Sequence, residues 1–167
     1  MALDLRTMLS AHQPYSTSKG SVVYAIVVGC GRAGADVANR LSAGNHAVVV
    51  IDNNRTAFSR LALDFDGTTL VGHAIDVDCL LSAGIERADL LIATTYGDNS
   101  NLTAVQIANK QFGVDRAIAR VKDPVRARLF GDLGVETLSS TTLVGQAFEH
   151  LLDQTHTSST PAPQTED

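Results

Sequence analysis

Val27-Val28-Gly29-Cys30-Gly31-Arg32-Ala33-Gly34 is the stretch whose reading decides the fold. An apolar run, Val22–Val28, enters a Gly-x-Gly-x-x-Gly loop, and a helical pattern leaves it. Each glycine of such a loop has a separate task. Gly29 makes the tight turn, Gly31 lets a phosphate approach the backbone, and Gly34 lets helix and strand pack closely. The helix that follows presents free amides and a partial positive charge at its start, so Cys30, Arg32 and Ala33 flank an anion site. Gly34, Val37, Ala38 and Leu41 recur at helical spacing, and Gly44 supplies the stop. A second apolar run, Ala47–Ile51, then ends at Asp52, followed by Asn53. A carboxylate there accepts hydrogen bonds from both hydroxyls of an adenosine ribose. Its charge opposes a 2′-phosphate, which favours NAD(H) over NADP(H). ATP, ADP and AMP share the adenosine half, so Asp52 does not separate them from NAD(H). Arg55 is expected in the solvated turn that follows.

Working outward, further apolar runs fall at Thr68–Val71, Leu90–Ala93, Ala117–Val121 and Val135–Leu138. Most are continuous rather than alternating, as in strands covered on both faces. A helical segment with Leu102 and Val105 precedes Gly113, another helix stop. Strands alternating with helices predict an α/β fold, a Rossmann-like, doubly wound parallel sheet of six strands. Right-handed crossovers favour the order 3-2-1-4-5-6. The expected organisation is a flexible leader over 1–21, one nucleotide-binding domain over 22–152, and a disordered Ser/Thr/Pro tail over 153–167. The domain's final helix is expected over 140–152, with Ser139 and Ser140 capping its start. There Leu143, Val144, Ala147, Phe148, Leu151 and Leu152 form a broad apolar face. That face suits either the chain's own sheet or a second subunit.

Composition narrows the function. The formal charge of −5 and the absence of a basic stripe argue against a nucleic-acid partner. No apolar run approaches the length of a membrane span, and the start of the chain does not resemble a secretory signal. Two cysteines, Cys30 and Cys79, make neither a disulfide framework nor a zinc site. No metal site and no catalytic residues are expected: no Cys–His, Ser–His or carboxylate pair stands at catalytic spacing, and five histidines are scattered.

Other clusters fall at strand ends, where open α/β sheets bind ligands. Thr94 and Thr95 read either as contacts to the second half of a dinucleotide or as loop residues. Asp98 is expected to cap the next helix, with Asn101 in its first turn. Arg120 and Lys122 read as phosphate contacts or as plain surface cations. Gly72-His73-Ala74 follows the third strand, beside the expected adenine. Cys30, near a helix start, reads as a redox-sensitive thiol of lowered pKa or as a small packing residue.

The motifs together resemble a known family, the RCK N-terminal or TrkA-N domains of potassium-transport regulators. The resemblance rests on Val27 to Gly34, Val50-Ile51-Asp52, Leu81-Ser-Ala-Gly-Ile-Glu-Arg-Ala-Asp89, Thr94-Thr-Tyr-Gly-Asp-Asn-Ser-Asn101 and Ile118-Ala-Arg-Val-Lys-Asp-Pro124. It spans roughly Val22 to Leu152. It implies a regulatory subunit that binds NAD(H), ATP, ADP or AMP and assembles as a dimer or larger ring. Such a subunit is cytoplasmic, held at the inner face of the membrane by an embedded Trk- or Ktr-type potassium transporter. By position, the family's phosphate-loop roles fall on Gly29, Gly31, Arg32 and Gly34, its ribose role on Asp52, and its second-half contacts on Thr94, Thr95 and Arg120. The family also implies that the final helix crosses to a neighbouring subunit. Two departures stand out. His73 occupies a position usually acidic, and a tail is expected where the family has its C-terminal subdomain. Either a separate chain supplies that subdomain or regulation relies on this domain alone. The competing readings are a small NAD-dependent oxidoreductase or redox-sensing module, and a binding module for a partner that is not a transporter.

Overall fold

The computed structural model describes residues 22–156, with side chains described through Leu152. The leader over 1–21 and the tail beyond 156 lie outside the described residues. The strands are β1 Tyr24–Val28, β2 Ala47–Asp52, β3 Thr68–Val71, β4 Leu90–Ala93, β5 Arg116–Val121 and β6 Glu136–Ser139. The helices are α1 Arg32–Ala43, α2 Val77–Ser82, α3 Asp98–Gln111, α4 Pro124–Asp132 and α5 Ser140–His156, with 3-10 turns at Arg55–Arg60 and Ile85–Arg87. All neighbouring strands pair in parallel, in the order β3-β2-β1-β4-β5-β6. This is the doubly wound order that the alternating pattern predicts.

Local chemistry sets the element ends. The Gly44 amide donates to the carbonyls of Arg40 and Leu41, closing α1. Gly113 adopts a positive φ just past α3, where a side chain would be strained. Asp123 caps α4, its Oδ1 accepting from the amides of Val125 and Arg126, and Pro124 fills the first helical position. Ser139 Oγ accepts from the Thr142 amide and so caps α5, as expected. That helix continues to His156, four residues past its expected end. No glycine or proline interrupts it there.

The core is divided by the sheet. On one face Ile26, Val28, Ile51 and Leu91 pack with Leu80, Ile85, Leu102 and Val105. On the other, Val27, Val48 and Val50 meet Ala35 and Ala38 of α1 and Ala57 of the first 3-10 turn. Both faces of β1 and β2 are thus covered, as continuous apolar strands predict. The expectation fails towards the far edge. Along β5, Ala117, Ala119 and Val121 are buried, while Arg116, Ile118 and Arg120 are only half-buried. The cause is topological. Successive right-handed crossovers from β3 to β6 run in one direction and place α2, α3 and α4 on the same face. Among the described residues no crossover helix reaches the opposite face of β4 to β6. Helix α5 makes at most marginal contacts with the other elements, and Val144, Phe148, Leu151 and Leu152 are exposed. Of the two readings of its apolar face, packing on the chain's own sheet is not what the structure contains.

Candidate functional site

Strand order reverses between β1 and β4, so the loops leaving their carboxyl ends part and open a cleft. Continued main-chain bonds hold three of the loops that surround it. The Gly29 amide donates to Ile51 O (2.7 Å), Thr94 N to Val28 O (2.7 Å) and Gly72 N to Asp52 O (3.0 Å). The cleft has a volume of about 560 Å³, within the range of small-molecule sites. Its walls are Gly29–Gly31, Asp52–Asn54 with Ala57 and Arg60, Gly72–Ile75, and Thr94–Gly97 with Ser100.

The three glycines differ in what they require. Gly29 has φ +92°, and a Cβ there would come within 2.9 Å of the Thr95 amide nitrogen. At Gly34 a Cβ would collide with the Gly29 carbonyl and Thr94 Oγ1. Gly31 has an ordinary extended conformation, and a Cβ there would meet nothing within 4 Å. Packing therefore explains Gly29 and Gly34 but not Gly31. Gly31 borders the cleft, where the missing side chain leaves its backbone open to a ligand. Helix α1 starts at this residue without a side-chain cap and without an acidic residue in its first turn. Its first intrahelical bond is Ala35 N to Gly31 O, so the preceding amides have no helical partner. The loop and helix end suit an anion.

Asp52 is held in place by two amides. Its Oδ2 accepts from Cys30 N (2.6 Å) and its Oδ1 from Asn54 N (2.8 Å). Each carboxylate oxygen keeps a second lone pair, enough for one further donor apiece. Two vicinal hydroxyls match that capacity. Exposed His73 and buried Ala74, just past the neighbouring strand β3, line the cleft on the same side.

Of the expected site residues, Gly29, Cys30, Gly31, Asp52, Asn53, His73, Ala74, Thr94 and Thr95 line the cleft, while Arg32, Ala33, Gly34, Asn101 and Arg120 do not. Asn101 is fully buried, and its amide is spent inside the protein. Its Oδ1 accepts from the amide and hydroxyl of Thr95 (2.9 and 2.6 Å). Its Nδ2 donates to the carbonyls of Thr95 (3.1 Å) and Arg120 (2.8 Å). It shapes the loop instead of meeting a ligand. Thr94 directs its hydroxyl at the carbonyls of Val28 and Gly29, which fixes the cleft floor.

Asp98 is not the cap of α3. Gly97 takes that position, and Asp98 begins the helix. Its carboxylate instead accepts from the amides of Lys122 (3.0 Å) and Asp123 (3.3 Å), tying α3 to the end of β5. Desolvation pushes its pKa up, but those two amides, with the charges of Lys122 and Arg126, outweigh it and hold the carboxyl below its usual value. Cys30 is fully buried, and its pKa is raised, first by burial and then by the Asp52 charge, with Arg60 opposing. The lowered pKa expected of a thiol near a helix start is not found, because the side chain is packed against α1 and the first 3-10 turn.

Sequence reasoning missed Arg60 and Tyr96. Arg55, which it weighed, does not line the cleft, whereas Arg60 does. A short 3-10 turn brings round the later arginine, and no residue pattern announces it. Among the described residues no group of acidic, histidine and cysteine side chains forms a metal site, and no helix is long and apolar enough to cross a membrane.

Comparison with known proteins follows the same lines. A family model described as the TrkA-N domain matches residues 25–141. The chain is 40% identical over 118 residues to the Trk system potassium uptake protein TrkA of Streptomyces coelicolor, covering 71% of this chain and 53% of that protein. It thus spans about half the length of that relative. The TrkA-N domain of inner membrane protein YbaL from Escherichia coli superposes with a TM-score of 0.69 at 22% identity, over 79% of this chain and 98% of the other. The AMP-bound Kef C-terminal domain of Shewanella denitrificans gives a TM-score of 0.64 at 26% identity, over 81% and 82% of the two chains.

Proposed function

Since the chain belongs to the TrkA-N domain family, we propose that it is a nucleotide-sensing regulatory unit of a potassium uptake system and works by conformational change, not catalysis. The observation that carries this reading is Gly31. It is a glycine that neither backbone angle nor packing demands, placed at an uncapped helix start and next to Cys30, whose amide helps to anchor the Asp52 carboxylate. That arrangement suits the phosphates and ribose of an adenine nucleotide, either NAD(H) or ATP, ADP or AMP. A ligand biases such a switch only through different affinities for two states. The proposed place of action is the cytoplasmic face of the membrane, docked on a transporter embedded in it. The proposed assembly is a dimer or a set of dimers in which exposed α5 packs on a neighbour. A redox-sensing module is disfavoured by the burial and raised pKa of Cys30.

Mass spectrometry of nucleotide retained on purification, followed by calorimetric titration, tests the site. Wild type is expected to bind NAD(H) or an adenine nucleotide. Asp52→Ala is expected to cost about 1–3 kcal/mol, as for hydrogen bonds to a charged acceptor. Unchanged affinity in this variant would remove Asp52 from the site. Deleting the gene is expected to impair growth at limiting potassium, and unimpaired uptake in a strain without a second copy would count against the transport role.

A further inference from the structure

The cleft has two ends. Asp52, Arg60 and His73 border one, and the loop Thr94–Gly97 borders the other. A nucleotide whose ribose meets Asp52 and whose phosphates meet Gly31 therefore points the rest of its length at the Thr94–Gly97 loop. Tyr96 stands on that loop and lines the cleft, yet 87% of its surface is exposed. The Lys122 ammonium lies over one face of its ring, 3.5 Å from the centroid. The main chain of Lys122 is held, because its amide donates to Asp98 Oδ1 and its carbonyl accepts from Thr141 Oγ1 (2.7 Å). The ring is thus backed on one side by a cation and remains largely open.

We infer that Tyr96 is the stacking platform for a second aromatic ring of the ligand, which makes the cleft selective for a nicotinamide dinucleotide over a mononucleotide. This rests on the nucleotide reading of the site. The Lys122 charge adds a preference within that class. An oxidised nicotinamide is a cation, and stacking it on Tyr96 would place positive charge on both faces of one ring. A reduced nicotinamide is neutral and meets no such repulsion. The platform favours NADH over NAD+.

Calorimetric titration of the full chain with AMP, NADH and NAD+ decides it, with thermal melts to confirm that each variant is folded. AMP reports on the adenosine end alone. Wild type is expected to bind NADH more tightly than AMP. Tyr96→Ala should weaken NADH about tenfold, the usual scale of one lost base–aromatic stack, and leave AMP unchanged. Tyr96→Phe keeps the ring and should keep the NADH affinity. Lys122→Met should narrow the preference for NADH over NAD+. An NADH-to-AMP ratio that is the same in wild type and Tyr96→Ala overturns the platform while leaving the nucleotide site standing. Loss in Tyr96→Phe overturns it too, since the hydroxyl would then matter in place of the ring. Equal binding of NADH and NAD+ by wild type overturns the role given to Lys122. Failure of wild type to bind AMP and both dinucleotides would remove the nucleotide reading and this inference together.

Discussion

The two halves of the sheet solve burial differently. Around β1 and β2 the chain covers both faces itself, and the side chains of Val27, Val50, Ile26 and Ile51 are almost completely removed from water. Around β5 and β6 it covers one face, leaves Ile118 half-buried, and sends α5 outward with Phe148 63% exposed. Strands β1 and β2 are buried by the described residues, while β5, β6 and α5 keep apolar surface in water. Burying that surface stabilises by roughly 25 cal/mol per Å² wherever a complementary surface arrives. The contrast separates strands whose apolar side chains are buried from a region where the described residues leave apolar side chains exposed.

The sharpest way to break this contrast lies in the buried half. Gly34→Val forces a branched side chain into the Gly29 carbonyl and Thr94 Oγ1. The expected loss is on the order of 3 kcal/mol or more, visible as a melting temperature lowered by about 10 °C or as a failure to fold. Gly31→Val, three residues earlier, meets open space. It is expected to leave the melting temperature nearly unchanged while nucleotide affinity falls by a factor of about a hundred or more. Equal melting effects at the two positions would erase the distinction between packing and ligand access.

Next in size comes the exposed half. Phe148→Glu combined with Leu151→Glu places charge on the exposed face of α5. Wild type is expected to be dimeric or larger, with a melting temperature that rises with protein concentration, and the double variant to be monomeric without that dependence. Light scattering and melts over a range of concentrations check both. A wild-type chain that remains monomeric at high concentration would show that α5 serves another surface.

The smallest effect concerns the tie between α3 and the end of β5. The Asp98 carboxyl titrates below its unfolded value of about 3.9, so its contribution to stability is present above that pH and is lost as pH falls through the folded value. Asp98→Asn is therefore expected to be less stable than wild type at pH 7, by at most about 1 kcal/mol given the partial exposure of the group. The difference should vanish once the pH is well below 4. A difference that persists in acid would assign the effect to packing instead of charge.

Much of this was legible in residues alone, because the features concerned are local. Glycine spacing after a run of valines, a carboxylate ending the second run, and strand–helix alternation lead to the sheet order and to both sides of the cleft. What was hidden depended on distance. Leu90, Ile92 and Ile118 have the same apolar character whether their face is covered by the chain or by a neighbour, so one-sided cover leaves no mark in the sequence. Asn101 stands where a ligand contact is plausible, and only its burial beside Thr95 and the end of β5 reveals it as a structural bracket. Asp98 fits the pattern of a cap, but the start of α3 lies one residue earlier than that pattern suggests. Choosing Arg60 over Arg55 depends on the path of one 3-10 turn.

Lys122 joins features that otherwise lie apart. Its ammonium rests on the Tyr96 ring, its amide is fastened to Asp98 at the start of α3, and its carbonyl grips Thr141 in the first turn of α5. The mouth of the cleft, the start of α3 and the first turn of α5 thus meet at one residue at the end of β5.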